Sequence, residues 1–226
     1  MGDDGIDALE FALKDGSIVT LRGIADRVDT YKKDGNVYIR VVDYKTGSKE
    51  FSFDDLKDGL NTQLLIYLFS ICNLKSMSQR AKFGCDESSQ LIPAGIQYLS
   101  SNAPVVSVDK FCEGDEIESL IQNEFSRSGL LSSDPEIIHA INHNLDPKIV
   151  SKIKTDDDGN LVGKNLVGNE GFSEIYDMLS ETIIKVAESM KDGSANAIPL
   201  RMGEKSPCRY CKMKAICRAS VSKSKI

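Results

Sequence analysis

Two aspartates and a lysine occupy positions that a β-hairpin would place on one face. Asp34-Gly35 stands between two apolar runs and predicts the hairpin turn, because glycine accepts a positive φ and aspartate tolerates one. If the turn is symmetric about this pair, Asp26 lies opposite Asp43, and Lys45 follows on the same face. Facing carboxylates among apolar side chains repel and lose hydration, so a divalent cation such as Mg²⁺ is the expected compensation.

The same register predicts the neighbours of this group. Val28 would face Val41 and Ile24 would face Lys45 on the apolar side. The opposite side would carry a solvated set in which Asp29 can pair with Arg40: Arg27, Asp29, Tyr38, Arg40 and Tyr44. A three-residue loop would instead place the two aspartates on opposite faces. A cation with Lys45 beside it would favour metal-assisted phosphodiester hydrolysis, the lysine orienting water and neutralising developing charge.

Each of these three residues, taken alone, has an ordinary structural explanation. Asp43 and Lys45 would form a local ion pair, and Asp26 would be a charge at a strand edge. The three together on an apolar face favour the site.

A helix is expected to lie over these strands. Apolar residues at helical spacing predict a helix from an N-cap at Ser52 to about Leu74. Gln63 and Tyr67 are four residues apart and share a face, so both can point towards the metal or a phosphate. Gly59 would permit close backbone approach. Taken alone, Tyr67 would be an aromatic residue of an amphipathic helix.

The remaining pattern predicts alternating strands and helices around one core. Strands are expected over 8–13, 18–30, 37–45 and 91–99, a polar loop over 75–90, helices over 114–127, 134–142 and 170–190, and a hairpin tip at 156–160. This order predicts an α/β or α+β core with a helical appendage.

Charge is divided unevenly along the 226 residues. The net charge is −6, yet residues 201–226 carry eight Lys or Arg against one Glu. A basic segment on an acidic body is typical of a nucleic-acid or acidic partner, but charge alone favours a solvated, lysine-rich chain end. No apolar run is long enough to cross a bilayer and no secretory signal is evident. We therefore expect a cytoplasmic protein with reduced cysteines, and a domain excised from a longer chain.

Three cysteines in the basic segment have the spacing of a metal or cluster site. Cys208-x2-Cys211-x5-Cys217 leaves zinc, iron–sulfur and unligated thiols open. Cys85 and Cys112 could complete a zinc site, whereas Cys72 is expected to be buried in the helix. His139 and His143 are expected to be a pair on a helix surface.

Three segments carry a family resemblance. Residues 23–29 (GIADRVD), 42–47 (VDYKTG) and 63–68 (QLLIYL) resemble the G-x-x-D-R-x-D, D-Y-K-(S/T)-G and Q-L-x-x-Y-L motifs of RecB-like nucleases in the PD-(D/E)XK superfamily. Supporting similarity to AddB-type subunits of bacterial helicase/deoxyribonucleases covers nearly the whole chain, in segments 128–131, 161–162, 197–199 and 207–217.

The resemblance implies a restriction-endonuclease-like core, a mixed central sheet flanked by helices, over residues 1–200, with a cysteine-bearing segment over 201–226 packed on it. It implies that Asp26 and Asp43 ligate Mg²⁺, with the backbone carbonyl of Tyr44 as a third ligand. Lys45 would act on the attacking water, and Gln63 and Tyr67 would support the site or contact DNA.

The family further implies cleavage of one DNA strand leaving a helicase during double-strand-break repair, with an AddA-type helicase–nuclease as partner and no membrane. It implies a [4Fe–4S] cluster held by Cys208, Cys211, Cys217 and one cysteine upstream of the nuclease core. No cysteine precedes Asp26, so we expect the cluster to be incomplete here. The family also has a helix before the first strand that adds active-site residues. Two rivals remain, a catalytically silent DNA-binding or subunit-docking module of the same fold, and a zinc-stabilised interaction domain.

Overall fold

A computed structural model describes residues 5–47, 49–101, 116, 117, 120, 127–142, 153–163, 165–194, 211–213 and 216. The chain divides into two compact units, Met1–Ile184 and Lys185–Ile226. The first unit contains every strand given below. The predicted domain boundary at residue 200 stays a prediction.

The described elements alternate between strands and helices. The strands are β1 Leu9–Ala12, β2 Ile18–Leu21, β3 Arg27–Lys33, β4 Asn36–Lys45, β5 Leu91–Ser100, β6 Ser128–Ser132, β7 Lys154–Thr155, β8 Leu161–Val162 and β9 Leu166–Val167. The helices are α1 Phe53–Lys57, α2 Gln63–Cys72, α3 Met77–Ala81, α4 Pro135–Ile141 and α5 Asn169–Lys191.

A mixed five-stranded sheet forms the centre, in the order β3-β4-β5-β6-β9. Strand β4 pairs antiparallel with β3 and parallel with β5, while β6 pairs antiparallel with β5 and parallel with β9. Two short antiparallel hairpins, β1-β2 and β7-β8, stand apart from this sheet. A mixed sheet flanked by helices confirms the predicted fold class.

The β3-β4 hairpin has the predicted two-residue turn. Asp34 has φ 49° and Gly35 has φ 75°, the positive values that a type I′ turn needs at both central positions. Pairing therefore runs from Lys33 opposite Asn36 to Arg27 opposite Val42, which confirms the symmetric register.

One predicted strand is in fact two. The pattern over 18–30 is interrupted between the end of β2 and the start of β3, so Ile24 is unpaired and 86% exposed. The expectation that Ile24 lies on the apolar face opposite Lys45 is wrong. Because of this break, β2 pairs with β1 in a separate hairpin while β3 belongs to the central sheet.

The predicted helix over 52–74 is also two elements, α1 and α2. Gly59 (φ 73°) and Asn61 (φ 56°) adopt left-handed backbone conformations that a helix cannot contain. Ser52 does precede α1, but its side chain makes no capping hydrogen bond. The sequence predicts a polar loop over 75–90, but the structure places the short helix α3 within this segment.

The main core lies between the sheet and helices α2 and α5. Helix α2 packs on β4 and β5 and buries Leu64, Leu65 and Leu68. Helix α5 contributes Phe172, Ile175 and Leu179 to the same core. A smaller cluster of Leu131, Ile138 and Ile153 forms separately.

Several further predictions are confirmed. Strand β5, the β7-β8 hairpin and the long helix α5 occupy the expected segments. Helix α4 begins after Asp134, whose side chain accepts a hydrogen bond from the N–H of Glu136. The predicted helix over 114–127 lies mostly outside the described residues. Within the described part of the chain, no helix is long and apolar enough to cross a membrane.

Candidate active site

Asp43 is a buried carboxylate on the core face of β4. Val37, Ile39 and Val41 alternate into the core, and the same alternation turns Asp43 inward, where it is 4% exposed. Its Oδ2 atom lies 2.6 Å from Nζ of Lys45, two residues on and on the same face. A carboxylate is costly to bury unless it is paired, and Lys45 supplies a positive charge beside Asp43.

Asp26 occupies the bend immediately before β3 and is exposed. Its Oδ2 accepts a hydrogen bond of 3.1 Å from the backbone N–H of Tyr44. This bond brings the carboxylate beside the peptide bond between Asp43 and Tyr44. The structure thus gathers Asp26, Asp43, Tyr44 and Lys45 at one end of the β3-β4 hairpin, as the sequence predicts.

On the opposite face of this hairpin, ion pairs connect β3 to β4. Asp29 accepts hydrogen bonds from Nε of Arg27 at 2.7 Å and from Nη2 of Arg40 at 2.5 Å. Burial opposes ionisation of Asp29, but the two arginines outweigh it and hold the pKa of that carboxyl below its ordinary value. The predicted Asp29–Arg40 pair is therefore confirmed, and it fixes the strand that follows Asp26.

Gln63 and Tyr67 lie on the first two turns of α2. Nε2 of Gln63 donates a hydrogen bond of 3.1 Å to the hydroxyl of Tyr67. The Tyr67 ring lies against Gly23, where a Cβ atom would stand 2.8 Å from Cζ of the ring. Only glycine allows this approach, so helix α2 contacts the loop that leads to Asp26.

A cavity of about 1070 Å³ adjoins this contact. Gly23, Ala25 and Val28 line it from the strand side, and Ile66 and Tyr67 line it from α2. The loop before Asp26 is therefore open to solvent on the side of the helix.

Two further polar side chains on the Asp43 face were missed from the sequence. Tyr98 pairs with Asp43 across β4 and β5, and its buried hydroxyl has no hydrogen-bond partner among the residues that the structure describes. Burial, with Asp43 and Asp55 nearby, raises the pKa of Tyr98 to about 12. Nζ of Lys49 lies 5.3 Å from the centroid of the Tyr98 ring. Tyr98 falls in a predicted strand, but the pattern does not reveal that this strand is the neighbour of β4.

The oxygen donors suit a hard divalent cation. No group of three or more His, Cys, Asp or Glu side chains gathers in a metal-binding arrangement among the residues that the structure describes. Two carboxylates with a backbone carbonyl still fit Mg²⁺, because this ion keeps several waters and commonly takes one or two protein carboxylates. The burial of the Asp43 carboxylate, with the Asp26 carboxylate bonded to the N–H of the adjacent Tyr44, is the observation that favours such an ion.

The cysteines are placed only in part. Cys211 is exposed, while Cys208, Cys217 and Cys112 lie outside the described residues. Cys85 is buried in the main core, and burial raises the pKa of the nearby Cys72 thiol above its ordinary value. His139 is exposed on α4, and His143 lies outside the described residues. The cluster and zinc hypotheses both stay predictions.

A mixed central sheet flanked by helices, with Asp26, Asp43 and Lys45 at one end of the β3-β4 hairpin, is the arrangement to compare with known families. The chain belongs to the PD-(D/E)XK nuclease superfamily, whose sequence model matches residues 4–218.

Within this superfamily, the chain is similar in sequence to one kind of bacterial protein. The chain is 31% identical over 207 residues to the B-subunit of the ATP-dependent helicase/deoxyribonuclease of Clostridium acetobutylicum, and the match covers 91% of this chain and 17% of that protein. Identity to the same protein of Thermoanaerobacter sp. (strain X514) is 32%, covering 93% of this chain and 18% of that protein. For Clostridium botulinum (strain Loch Maree) the identity is 33%, covering 91% and 18%. The chain thus spans less than a fifth of these relatives.

Proposed function

We propose that this chain is a divalent-metal-dependent deoxyribonuclease domain that hydrolyses phosphodiester bonds of a DNA single strand. The observation that carries the proposal is the buried Asp43 carboxylate, which is 4% exposed and whose Oδ2 lies 2.6 Å from Nζ of Lys45. Asp26, bonded to the Tyr44 N–H, supplies a second carboxylate at the same strand ends. Such a set favours hydrolysis of a phosphate ester over acyl or glycosyl transfer.

Asp26 and Asp43, with the backbone carbonyl of Tyr44, would hold Mg²⁺. When bound, the ion polarises a phosphate oxygen and makes water a stronger nucleophile at neutral pH. The bond from Tyr44 to Asp26 leaves the second oxygen of Asp26 available as a ligand. Burial of Asp43 excludes bulk water and strengthens its electrostatic interactions.

Lys45 is the group that orients the attacking water and stabilises the negative charge that develops on the phosphate. It is held by the ion pair with Asp43, while its side chain remains 30% exposed and so within reach of substrate. Gln63 and Tyr67 act behind this centre. Their hydrogen bond and the Gly23 contact keep the loop before Asp26 in place against α2, and the exposed Gln63 amide can also contact DNA.

The biological setting is proposed from the named relatives. They are helicase/deoxyribonuclease subunits, which supports a strand delivered by a helicase, an AddA-type helicase–nuclease partner and a role in double-strand-break repair. We further propose a cytoplasmic location. Cys208, Cys211 and Cys217 would supply three ligands of a [4Fe–4S] cluster whose fourth cysteine lies outside this sequence.

Cleavage of single-stranded DNA labelled at the 5′ or 3′ end tests the proposal. The purified chain is incubated with Mg²⁺ or with EDTA, beside Asp43→Asn and a matched variant of an exposed helix acid, Asp177→Asn. We expect Mg²⁺-dependent cutting that falls by at least roughly 100-fold in Asp43→Asn and is unchanged in Asp177→Asn. Binding without cutting, in the chain and in its parent complex, would instead support the silent module.

A further inference from the structure

Lys49 is a cation on the active-site face that none of the three motifs includes. Tyr98 and Asp43 are partners across the parallel strands β4 and β5, so their side chains share a face. The Lys49 ammonium lies 5.3 Å from the centroid of the Tyr98 ring. This contact places a second positive charge beside the Asp43–Lys45 pair.

The segment that carries Lys49 is anchored to the end of the sheet. The backbone N–H of Phe51 donates a hydrogen bond of 3.0 Å to Oγ of Ser128, the residue that pairs with Tyr98 on β6. The Phe51 ring is buried, and it packs edge-on against Phe53 with centroids 5.1 Å apart. Lys49, two residues before this anchor, is thereby held over Tyr98.

Lys49 has no counter-ion within the described part of the chain. Lys45 takes the Asp43 carboxylate, and Asp55 accepts a hydrogen bond of 2.5 Å from Nδ2 of Asn61. Lys49 itself makes no ion pair with any residue that the structure describes, although it is only partly exposed. Burial, and then Lys45, lower the pKa of Lys49 against the opposite effect of Asp43 and Asp55. A half-buried cation without a counter-ion is unfavourable, and the arrival of an anion relieves this cost.

A second polar group at the same place also has no partner. The Tyr98 hydroxyl is buried and makes no hydrogen bond with the described residues, although a buried hydroxyl normally has a partner. In the described chain the cation has no counter-ion and the hydroxyl has no hydrogen-bond partner, and both lie on the Asp43 face. Together they match a ligand that offers oxygen acceptors with negative charge.

We propose that Lys49 binds a phosphate of the DNA strand next to the bond that is cut, and that Tyr98 positions it. This inference rests on the proposed nuclease function. Lys45 remains the residue that orients the attacking water, while Lys49 contributes to substrate affinity. The face of an aromatic ring attracts an ammonium without neutralising its charge, so Tyr98 can orient Lys49 and leave it available to a phosphate.

The test compares Lys49→Gln, Lys49→Arg and Lys57→Gln with the unaltered chain. Lys57 is an exposed lysine at the end of α1 and serves as the matched loss of one charge. For each protein, kcat and KM are measured on single-stranded DNA with Mg²⁺, and DNA affinity is measured against salt with Ca²⁺ replacing Mg²⁺. We expect Lys49→Gln to raise KM about tenfold with kcat little changed, and to reduce the salt slope by about 0.7, the value for one phosphate contact on a single strand. Lys49→Arg should restore most of the affinity.

Each contrary outcome has its own meaning. If the unaltered chain cuts DNA and Lys49→Gln matches Lys57→Gln in KM and salt slope, the inference is wrong and the nuclease proposal stands. A lower Tm with an unchanged salt slope would show that Lys49 only packs on Tyr98, and would also overturn the inference. If the unaltered chain neither cuts nor binds single-stranded DNA, the proposed function fails and this inference fails with it.

Discussion

The backbone N–H of Tyr44 donates a hydrogen bond of 3.1 Å to Oδ2 of Asp26, and this bond joins the approach to β3 to the end of β4. Asp26 lies one residue before the first paired residue of its strand, so the hairpin ladder alone does not hold it. The bond replaces the missing ladder contact with one made by the side chain. The carboxylate is thereby held beside Asp43 at the candidate metal position.

The contact between Gly23 and Tyr67 predicts a steric effect of Gly23→Ala. A Cβ atom there would overlap the Tyr67 ring, so the ring, α2 or the loop before Asp26 must move. We expect a loss of about 1–3 kcal/mol in the free energy of unfolding, the usual cost of overpacking, together with reduced cleavage. Urea denaturation measures the first effect.

Gly47→Ala is the control for this substitution, because a Cβ atom at Gly47 would meet nothing within 4 Å. Its free energy of unfolding should stay within about 0.5 kcal/mol of the unaltered chain. Equal stability of the two variants would show that Tyr67 does not lie against Gly23.

The hydrogen bonds to the Asp86 carboxylate should stabilise the folded chain at neutral pH but not in strong acid. This carboxylate accepts hydrogen bonds from the hydroxyl and backbone N–H groups of Ser89 and Ser88, which lower its pKa to about 2. In the unfolded chain the Asp86 carboxyl has its ordinary pKa of 3.8, so it takes up a proton at a higher pH than in the folded chain. The stability that ionised Asp86 contributes is therefore fully present above about pH 4 and is lost as the pH falls towards 2.

We therefore expect Asp86→Asn to be less stable than the unaltered chain at pH 6 and to approach it at pH 2. Urea denaturation at a series of pH values measures the difference. Asp157→Asn, which alters an exposed aspartate of the β7-β8 turn, provides the comparison. A constant difference between Asp86→Asn and the unaltered chain across this pH range would contradict the assignment.

The cysteines should differ in reactivity. Burial raises the pKa of the Cys72 thiol and Cys85 lies in the main core, whereas Cys211 is exposed. Because the thiolate is the reactive form, iodoacetamide at pH 8 should modify Cys211 at least about tenfold faster than Cys72 or Cys85. Mass spectrometry of the digested protein gives the rates, and all three should become similar in urea. Similar rates in the native protein would disagree with this placement.

Sequence reasoning succeeded where a local signal sets the geometry. Asp34-Gly35 specifies a two-residue turn, and the turn fixes which residues of β3 and β4 face each other. The inward direction of Asp43 and Lys45 follows from that register. The Asp29–Arg40 pair could be predicted for the same reason.

It failed where backbone breaks or distant pairing decide the outcome. Gly59 and Asn61 end α1 before α2 begins, although the apolar spacing continues through them. The break before β3 likewise leaves Ile24 in solvent. Tyr98 and Lys49 reach the site through the parallel β4-β5 pairing and the Phe51–Ser128 bond, which join segments distant in sequence. No periodicity marks such contacts.

Reconstitution of the purified chain with iron and sulfide tests the cluster proposal. With Cys208, Cys211 and Cys217 as the expected ligands and the fourth outside this sequence, we expect anaerobic treatment to give no stable four-iron cluster. Iron and sulfide analysis with absorption spectroscopy measures the product. Four irons and four sulfides per chain would show that another cysteine of this chain completes the cluster.

The central claim is that Asp26 and Asp43 together hold a divalent cation, and Mn²⁺ binding followed by electron paramagnetic resonance tests it most directly. Asp26→Asn and Asp43→Asn are titrated beside Asp177→Asn and the unaltered chain. We predict one site in the unaltered chain, with an affinity lowered at least about tenfold by each of the first two substitutions and unchanged in Asp177→Asn. Equal Mn²⁺ affinity in all four proteins would contradict a metal centre at Asp26 and Asp43.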